Sequence, residues 1–160
     1  MANYQSAQVA AGTPIAAPQT GNTLTAVGSV ALSTALAVND TVELLEIPNG
    51  YAITGLTLDC TQLDSNVTPT LAGLVQDSAG TQVFIPTGTA VGRAATGSVN
   101  LQSQGGSTGY AYAVAGTGGN PGTTILEFKC SAVAATWKNG TMLLAVELQQ
   151  LSSAAGAPFA

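Results

Sequence analysis

The clearest pattern in the chain is the alternation of apolar and polar residues between Thr41 and Asp64. Thr41–Ile47 is rich in residues that favour strands, and within Tyr51–Cys60 apolar residues recur at every second position from Leu56 onward. Asn49-Gly50 separates the two runs, and Asn and Gly tolerate the positive φ that tight hairpin turns require. The pattern predicts a hairpin around this dipeptide at the centre of a β-sandwich.

Further strand-like runs follow the same alternation along the chain. They are Ala26–Val38, Thr70–Gln76, Thr81–Ile85, Ser98–Gln102, Tyr110–Val114, Thr124–Cys130 and Thr141–Gln149. Asp77–Gly80 predicts a second hairpin turn, and Asn139-Gly140 predicts the last one. About eight short strands without helical periodicity indicate an all-β fold, an antiparallel β-sandwich that is jelly-roll-like.

The first 25 residues differ from the predicted core. They carry no charge, and Pro14 and Pro18 would break a helix there. Fully extended at about 3.3 Å per residue, they would span roughly 80 Å, whereas a compact domain of this size has a radius of gyration of about 14 Å. We therefore predict an extended N-terminal arm at 1–25, a sandwich core at 26–150 and a C-terminal tail at 151–160.

Such an arm could reach a neighbouring subunit and insert apolar side chains into its grooves. Arg93 is the only positive charge in a long stretch, and it could either bridge to a neighbour's carboxylate or remain solvated. The candidate partner-binding residues in the arm, the core and the tail are Tyr4, Val9, Ile15, Leu24, Arg93 and Phe159.

Composition narrows the functional classes. Charged residues make up 7% of the chain and the net charge is −5. The only cations, Arg93, Lys129 and Lys138, are too few for a nucleic-acid surface. The apolar runs are short and rich in Ala, so we expect no membrane-spanning segment, and the N-terminus lacks the pattern of a signal peptide. A surface this poor in charge indicates either coverage by other subunits or a free surface of Thr, Ser, Gln and Asn.

Candidate catalytic and metal-binding chemistry is sparse. Histidine is absent, which removes the commonest general base and most zinc and haem sites. Cys60 and Cys130 each end a predicted strand, and they could pair if those strands adjoin or remain buried as two free thiols. We expect no cofactor and no metal.

Two groups of residues offer alternatives to a purely structural role. Asp59, Asp64 and Asp77 lie near loop ends, where they could converge as the acids of a hydrolase or as calcium ligands, although turn capping is the commoner use of Asp there. The aromatic residues Tyr110, Tyr112 and Trp137 could stack on a sugar, or they could pack in the core; these three are all in the second half of the chain.

Two segments carry a resemblance to a known family. The run IPNGYAITGLTLDCTQLDS and the closing run ATWKNGTMLLAVELQ are similar to segments of tailed-phage head proteins, and the similarity extends over roughly residues 40–150. The resemblance implies a capsid decoration, or cement, protein. Such proteins lie on the outside of the head at symmetry axes, often as trimers, and hold neighbouring major capsid proteins together.

The resemblance and the composition lead to one main hypothesis. The chain is expected to be a non-enzymatic virion protein that assembles in the host cytoplasm, lies on the outer capsid surface, and binds the major capsid protein and copies of itself, with a trimer favoured. The alternative is a carbohydrate- or receptor-binding module of a head fibre or tail fibre. A hydrolase that uses the three aspartates is the third hypothesis.

Overall fold

A computed structural model describes residues 1–12, 23–48, 51–80, 82–84, 97–100, 112–113 and 123–150 of the chain. The elements are β1 (Asn3–Gln5), α1 (Ala7–Ala10), β2 (Thr23–Leu32), β3 (Thr41–Pro48), β4 (Tyr51–Cys60), β5 (Ala72–Asp77), β6 (Gln82–Phe84), β7 (Gly97–Asn100), β8 (Tyr112–Ala113), β9 (Thr123–Ala132) and β10 (Gly140–Gln150). The predicted all-β fold is confirmed.

The strands form two sheets that pack face to face. The first sheet has the order β1-β3-β9-β5-β6, and the second has the order β2-β10-β4-β7, with β8 paired to β4. All described pairings are antiparallel except that of β1 with β3. From β2 to β5 successive strands alternate between the two sheets, so each connection crosses from one sheet of the sandwich to the other.

Two of the three predicted hairpins are wrong. β3 lies in the first sheet and β4 in the second, so the chain around positions 49 and 50, which are outside the described residues, connects two sheets. Asn139-Gly140 likewise precedes β10 of the second sheet, whereas β9 belongs to the first. Because each of these strands has an apolar row that needs covering, packing across the sandwich overrides the local turn signal.

The remaining predicted hairpin, at Asp77–Gly80, is confirmed. β5 pairs with β6 in an antiparallel ladder. The Gly80 N–H donates to the carbonyl oxygen of Asp77 at 2.9 Å. Gly80 has a φ of +85°, which favours glycine at this turn position. The Asp77 carboxylate accepts a hydrogen bond from the Ala79 N–H at 3.0 Å, which further stabilises the turn.

The core is built from the apolar rows that the alternation predicted. Phe128 of β9 and Leu144 of β10 are fully buried, and each buried side chain of this size contributes about 1.5–3 kcal/mol. The two sheets approach each other closely at Gly28, where a Cβ atom added to the glycine would collide with the Leu44 carbonyl oxygen. Leu44 sits in a register shift of β3, so this close approach requires glycine opposite it.

The first 12 residues lie on the chain's own first sheet. β1 pairs with the start of β3, and the Ser6 side chain accepts a hydrogen bond from the Val9 N–H as the cap of α1. Gln8 and the backbone of Glu46 form a reciprocal pair, since Gln8 accepts from the Glu46 N–H at 2.9 Å and donates to its carbonyl at 3.1 Å. This placement differs from the predicted arm; residues 13–22 lie outside the described part of the chain.

Candidate interaction surfaces

A row of polar side chains crosses the outer face of the first sheet; we call it the acidic row. Gln5, Glu43, Glu127 and Gln76 lie in register on four neighbouring strands. Gln5 donates to the Glu43 carboxylate at 2.8 Å, and Gln76 donates to the Glu127 carboxylate at 2.6 Å. Asn3 also donates to Glu43. The two acids are therefore neighbours across adjacent strands, each held by side-chain amides.

The position of Glu127 in this row disfavours its charge. Although the side chain lies on the outer side of β9, it is only 6% exposed. Burial raises the pKa of Glu127, and the negative charges of Glu43 and Asp77 act in the same direction, while the Gln76 hydrogen bond and the charge of Lys129 oppose the rise. The outer face of the first sheet is thus polar and internally bonded.

The outer face of the second sheet has an uncharged central row, which consists of Val27, Ala145 and Thr57 and which we call the neutral face. Val27 is 55% exposed there. Acidic residues lie in the rows on either side of it, Glu147 in one and Asp59 in the other. An uncharged row of this kind is better suited to contact with another protein than to permanent exposure.

Asp64 organises the loops at one end of the sandwich. Its carboxylate is fully buried and accepts hydrogen bonds from five backbone N–H groups, those of Asn66, Thr70, Leu71, Ala135 and Thr136, at 2.9–3.4 Å. Burial alone would raise the pKa of this group, but the backbone donors outweigh it and lower the pKa to about 2. Asp64 therefore fixes two loops and is fully engaged in doing so.

The three candidate aspartates do not converge. Asp64 contacts the Leu71 N–H at the start of β5, whereas Asp77 ends that strand, so the two are roughly 20 Å apart at about 3.3 Å per residue. A glycosidase pair needs a separation of about 5–10 Å. Asp59 lies in β4 of the other sheet. Within the described residues, no three Asp, Glu, Cys or His side chains lie close enough to hold a metal ion.

The predicted aromatic platform is only partly visible. Trp137 packs against the core, and its indole N–H donates to the Asn139 side chain at 3.1 Å. Tyr112 lies in β8, but its side chain is outside the description, as is the whole of Tyr110. Trp137 is thus held by its own chain, and the proposed sugar platform stays a prediction.

Both cysteines are buried free thiols. Cys60 belongs to β4 in the second sheet and Cys130 to β9 in the first, and each faces the core. Burial raises the pKa of Cys60 to about 12, so its thiol remains protonated and unreactive at neutral pH. Of the two interpretations left open by the sequence, the structure has the free thiols.

The structure places the candidate partner-binding residues unevenly. Tyr4 is half-buried against the chain's own core, and Val9 is the buried residue of α1. Leu24 lies in β2, with its side chain outside the description. The three candidates that fall outside the described residues are Ile15, Arg93 and Phe159. Contacts of these side chains with another subunit stay a prediction, and for Val9 the structure offers an intramolecular role instead.

Two arrangements near the N-terminus were not predicted from the sequence. The Asp40 carboxylate accepts from the backbone N–H groups of Ala2 and Ala37, which hold its pKa below the usual value. Asn3 and Gln8 serve as side-chain partners of β3. The amide-bearing residues at positions 3, 5 and 8 were the available signal, but nothing local indicated which strand they would contact.

Comparison with known proteins gives a likeness of fold. No protein-family model matches the sequence, and no curated protein matches it. A chain of the cyanophage Pam1 capsid asymmetric unit has a TM-score of 0.60 and 25% identity, over 86% of this chain and 94% of that one. A chain of the Ralstonia phage GP4 capsid has a TM-score of 0.66 and 22% identity, over 95% and 100%.

These likenesses support a phage capsid-related protein, in agreement with the resemblance to phage head proteins. They extend over 86% and 95% of this chain and over 94% and 100% of the two phage chains. Separately, the single described helix has four residues, and none in the described part of the chain is long and apolar enough to cross a membrane.

Proposed function

We propose that this chain is a structural protein of a phage virion, a decoration protein that binds the outside of the head and holds neighbouring capsid subunits together. The observation that carries the proposal is the likeness in fold to a chain of a phage capsid at 25% identity, over 86% of this chain and 94% of that one. The five backbone donors on Asp64 support a structural use of the most buried acid. No catalytic step is part of this function.

The neutral face is the surface proposed to meet the capsid. Its three residues, Val27, Ala145 and Thr57, carry no charge, so burial of this row against a protein surface desolvates no ion, and the acids beside it, Glu147 and Asp59, fall at the rim of such a contact. The acidic row on the opposite side of the sandwich, with Glu43 and Glu127, suits a surface turned away from that contact. An outward negative surface also suits the exterior of a head better than the side that faces packaged DNA.

The candidate residues beyond the described part of the chain belong to the same proposal. Ile15 and Phe159 would add apolar contacts to neighbouring subunits, and Arg93 would pair with a carboxylate of the major capsid protein. Several weak contacts on one molecule raise the overall affinity through effective concentration. The protein is proposed to act as a homo-oligomer, which multiplies these contacts further.

Head binding tests the proposal directly. Purified chain is mixed with phage heads that lack it, and binding is measured by co-sedimentation. Ala145→Glu places a charge in the centre of the neutral face and is expected to weaken binding at least tenfold. Val67→Glu is the matched control, because Val67 is 97% exposed in a loop outside that face.

The outcomes separate the competing functions. Head binding that Ala145→Glu weakens and Val67→Glu does not supports the proposal, and the absence of head binding by the unaltered chain contradicts it. Binding to a glycan array that Trp137→Ala abolishes, without head binding, would support the fibre-module alternative. Ile15→Asp is expected to weaken head binding while leaving the thermal midpoint of the domain unchanged.

A further inference from the structure

The two sheets end in strands of very different length. At the ends of the first sheet lie β1 and β6, each of three residues. One end of the second sheet is β7, with four residues, and the other end is β2, with ten. A short edge strand protects a sheet against pairing with a strand of another chain, and the ten-residue β2 lacks this protection.

The protective devices that a strand's own residues supply are also missing from β2. Thr23–Leu32 contains no charged residue and no proline. Its ladder with β10 runs through ten consecutive pairs without a register shift, so no bulge twists the edge away. Among the described residues, β10 is the only strand that pairs with β2. A long, regular and neutral row of backbone groups therefore lies at this edge.

From this edge we infer that two copies of the chain pair through antiparallel β2 strands, which joins their second sheets into one continuous sheet. Of the described edge strands, only the β2 of a second copy is long enough to cover β2 along its length. The absence of charge makes the strand compatible with itself, since no like charges face each other across the two-fold axis.

This pairing would also double the neutral face. The Val27 row of each copy lies on the same outer surface as the shared strands, so the two faces become one. The inference deepens the proposed homo-oligomer by naming its contact, but it does not depend on head binding. It predicts pairs, and in this it departs from the trimer that the family resemblance implies.

The first experiment measures the mass of the full chain in solution by light scattering after size-exclusion chromatography. The unaltered protein is expected at twice the 15.8 kDa mass of one chain. Val27 lies near the middle of β2, so Val27→Lys brings two ammonium groups close to the two-fold axis in any register that pairs most of the strand. The dissociation constant of the pair is expected to rise at least tenfold.

Thr57→Lys is the matched control for this variant. Thr57 lies in the same lateral row and on the same face as Val27, but two strands further in, roughly 10 Å from the edge. It adds the same charge to the same surface without facing the partner strand. It is expected to leave the mass unchanged, and circular dichroism checks that both variants remain folded.

Disulfide trapping tests the register independently of folding changes in Val27→Lys. Single cysteines are placed on the outward side of β2 at Thr25, Val27, Ser29 and Ala31, and the proteins are oxidised mildly. Covalent dimers are expected to be most abundant at one or two neighbouring positions, and Val67→Cys should give none above background. The native Cys60 and Cys130 do not interfere, because both are buried and burial raises the pKa of each thiol.

Each result decides for or against the pairing. A pair that Val27→Lys dissociates and Thr57→Lys does not, with trapping centred in β2, supports it. A monomer at all concentrations, a mass of three chains, or a pair that is indifferent to Val27→Lys overturns it. Pairing without head binding would leave this inference standing and contradict the proposed function, whereas head binding by a monomer would do the reverse.

Discussion

Asp64 and Glu127 are both buried carboxylates, yet the protein holds them in opposite ways. Asp64 is surrounded by five backbone N–H donors, and its pKa is lowered to about 2. Glu127 has one side-chain amide donor and lies beside Glu43 and Asp77, and burial raises its pKa. The same chemical group therefore stabilises the fold as an ion in one place and is disfavoured as an ion in the other.

The difference shows that burial alone does not determine how a charge affects stability. Backbone N–H groups held by loops are fixed donors that reward the charged form, whereas a row of like charges across a sheet penalises it. The comparison predicts that removing the two charges will have effects of opposite sign.

The largest effect is expected from Asp64→Ala. The substitution removes the acceptor of five backbone N–H groups at a fully buried side-chain position. We expect a loss of about 3–5 kcal/mol in the free energy of unfolding, because five donors in two loops lose their shared partner together. Urea denaturation followed by tryptophan fluorescence measures this change, since Trp137 adjoins the loop through its bridge with Asp64.

Asp64→Asn and Glu147→Gln calibrate that result. Asn keeps one acceptor oxygen but turns an NH2 group towards backbone donors, so an intermediate loss is expected. Glu147 is exposed, and its neutralisation is expected to change stability by less than about 0.5 kcal/mol. A loss below about 1 kcal/mol for Asp64→Ala would mean that the loops do not depend on this carboxylate.

The second prediction concerns the loss of stability at acidic pH. The pKa of Asp64 in the folded protein lies below its ordinary value of 3.8, so its contribution to stability is present above about pH 4 and is lost as the pH falls towards 2. The unaltered protein is therefore expected to lose more stability between pH 4 and pH 2 than Asp64→Asn does. Thermal midpoints of both proteins across this range test the difference, and parallel curves would contradict it.

The sequence predicted where the strands lie along the chain better than it predicted which strands pair with each other. Alternation located β9 and β10 within one or two residues, because a half-buried strand must repeat every second residue wherever it lies. The sheet to which a strand belongs depends on contacts between distant residues, such as the pairing of Met142 with Cys60. That is why Asn49-Gly50 predicted a hairpin where the chain crosses between sheets.

The candidate surfaces were predictable to a similar extent. The alternation predicts a strand at Ala26–Val38, and the strand observed there, at the edge of the second sheet, is Thr23–Leu32. The role of Asp64 could not be derived, because its donors include Ala135 and Thr136, about 70 positions away in the sequence. The contrast between an acidic row and a neutral face likewise depends on register, which composition does not contain.

The third prediction reverses the sign of the first. Glu127→Gln keeps a side-chain oxygen for the Gln76 donor and removes a buried charge that faces Glu43. We expect a gain of up to about 1 kcal/mol at pH 7. Because the folded-state pKa of Glu127 is raised above its ordinary value of 4.5, the unaltered group takes up its proton as the pH falls, so the gain should shrink towards pH 4.5.

Glu147→Gln again serves as the control, since it removes one negative charge from the exposed outer side of the second sheet. An equal gain in both variants would show that the effect arises from the overall net charge of −5 and not from the acidic row. A gain that persists unchanged at pH 4.5 would contradict the raised pKa.

The smallest expected effect is the coupling between the two acids of the row. Glu43 and Glu127 are direct partners across β3 and β9, and like charges at such positions repel by a few tenths of a kcal/mol up to about 1. Glu43→Gln alone removes this repulsion, but it also replaces one of the two oxygens that accept from Asn3 and Gln5, so its net effect on stability should be near zero.

A double-mutant cycle of Glu43→Gln and Glu127→Gln separates the repulsion from the lost hydrogen bond. The hydrogen bond that Glu43→Gln loses is lost in both the single and the double variant, so it cancels in the cycle. If the acids repel, the double variant therefore gains less stability than the sum of the two single variants. Strict additivity would show that Asn3, Gln5 and Gln76 already shield the two carboxylates from each other, and burial without repulsion from Glu43 would then account for the raised pKa of Glu127.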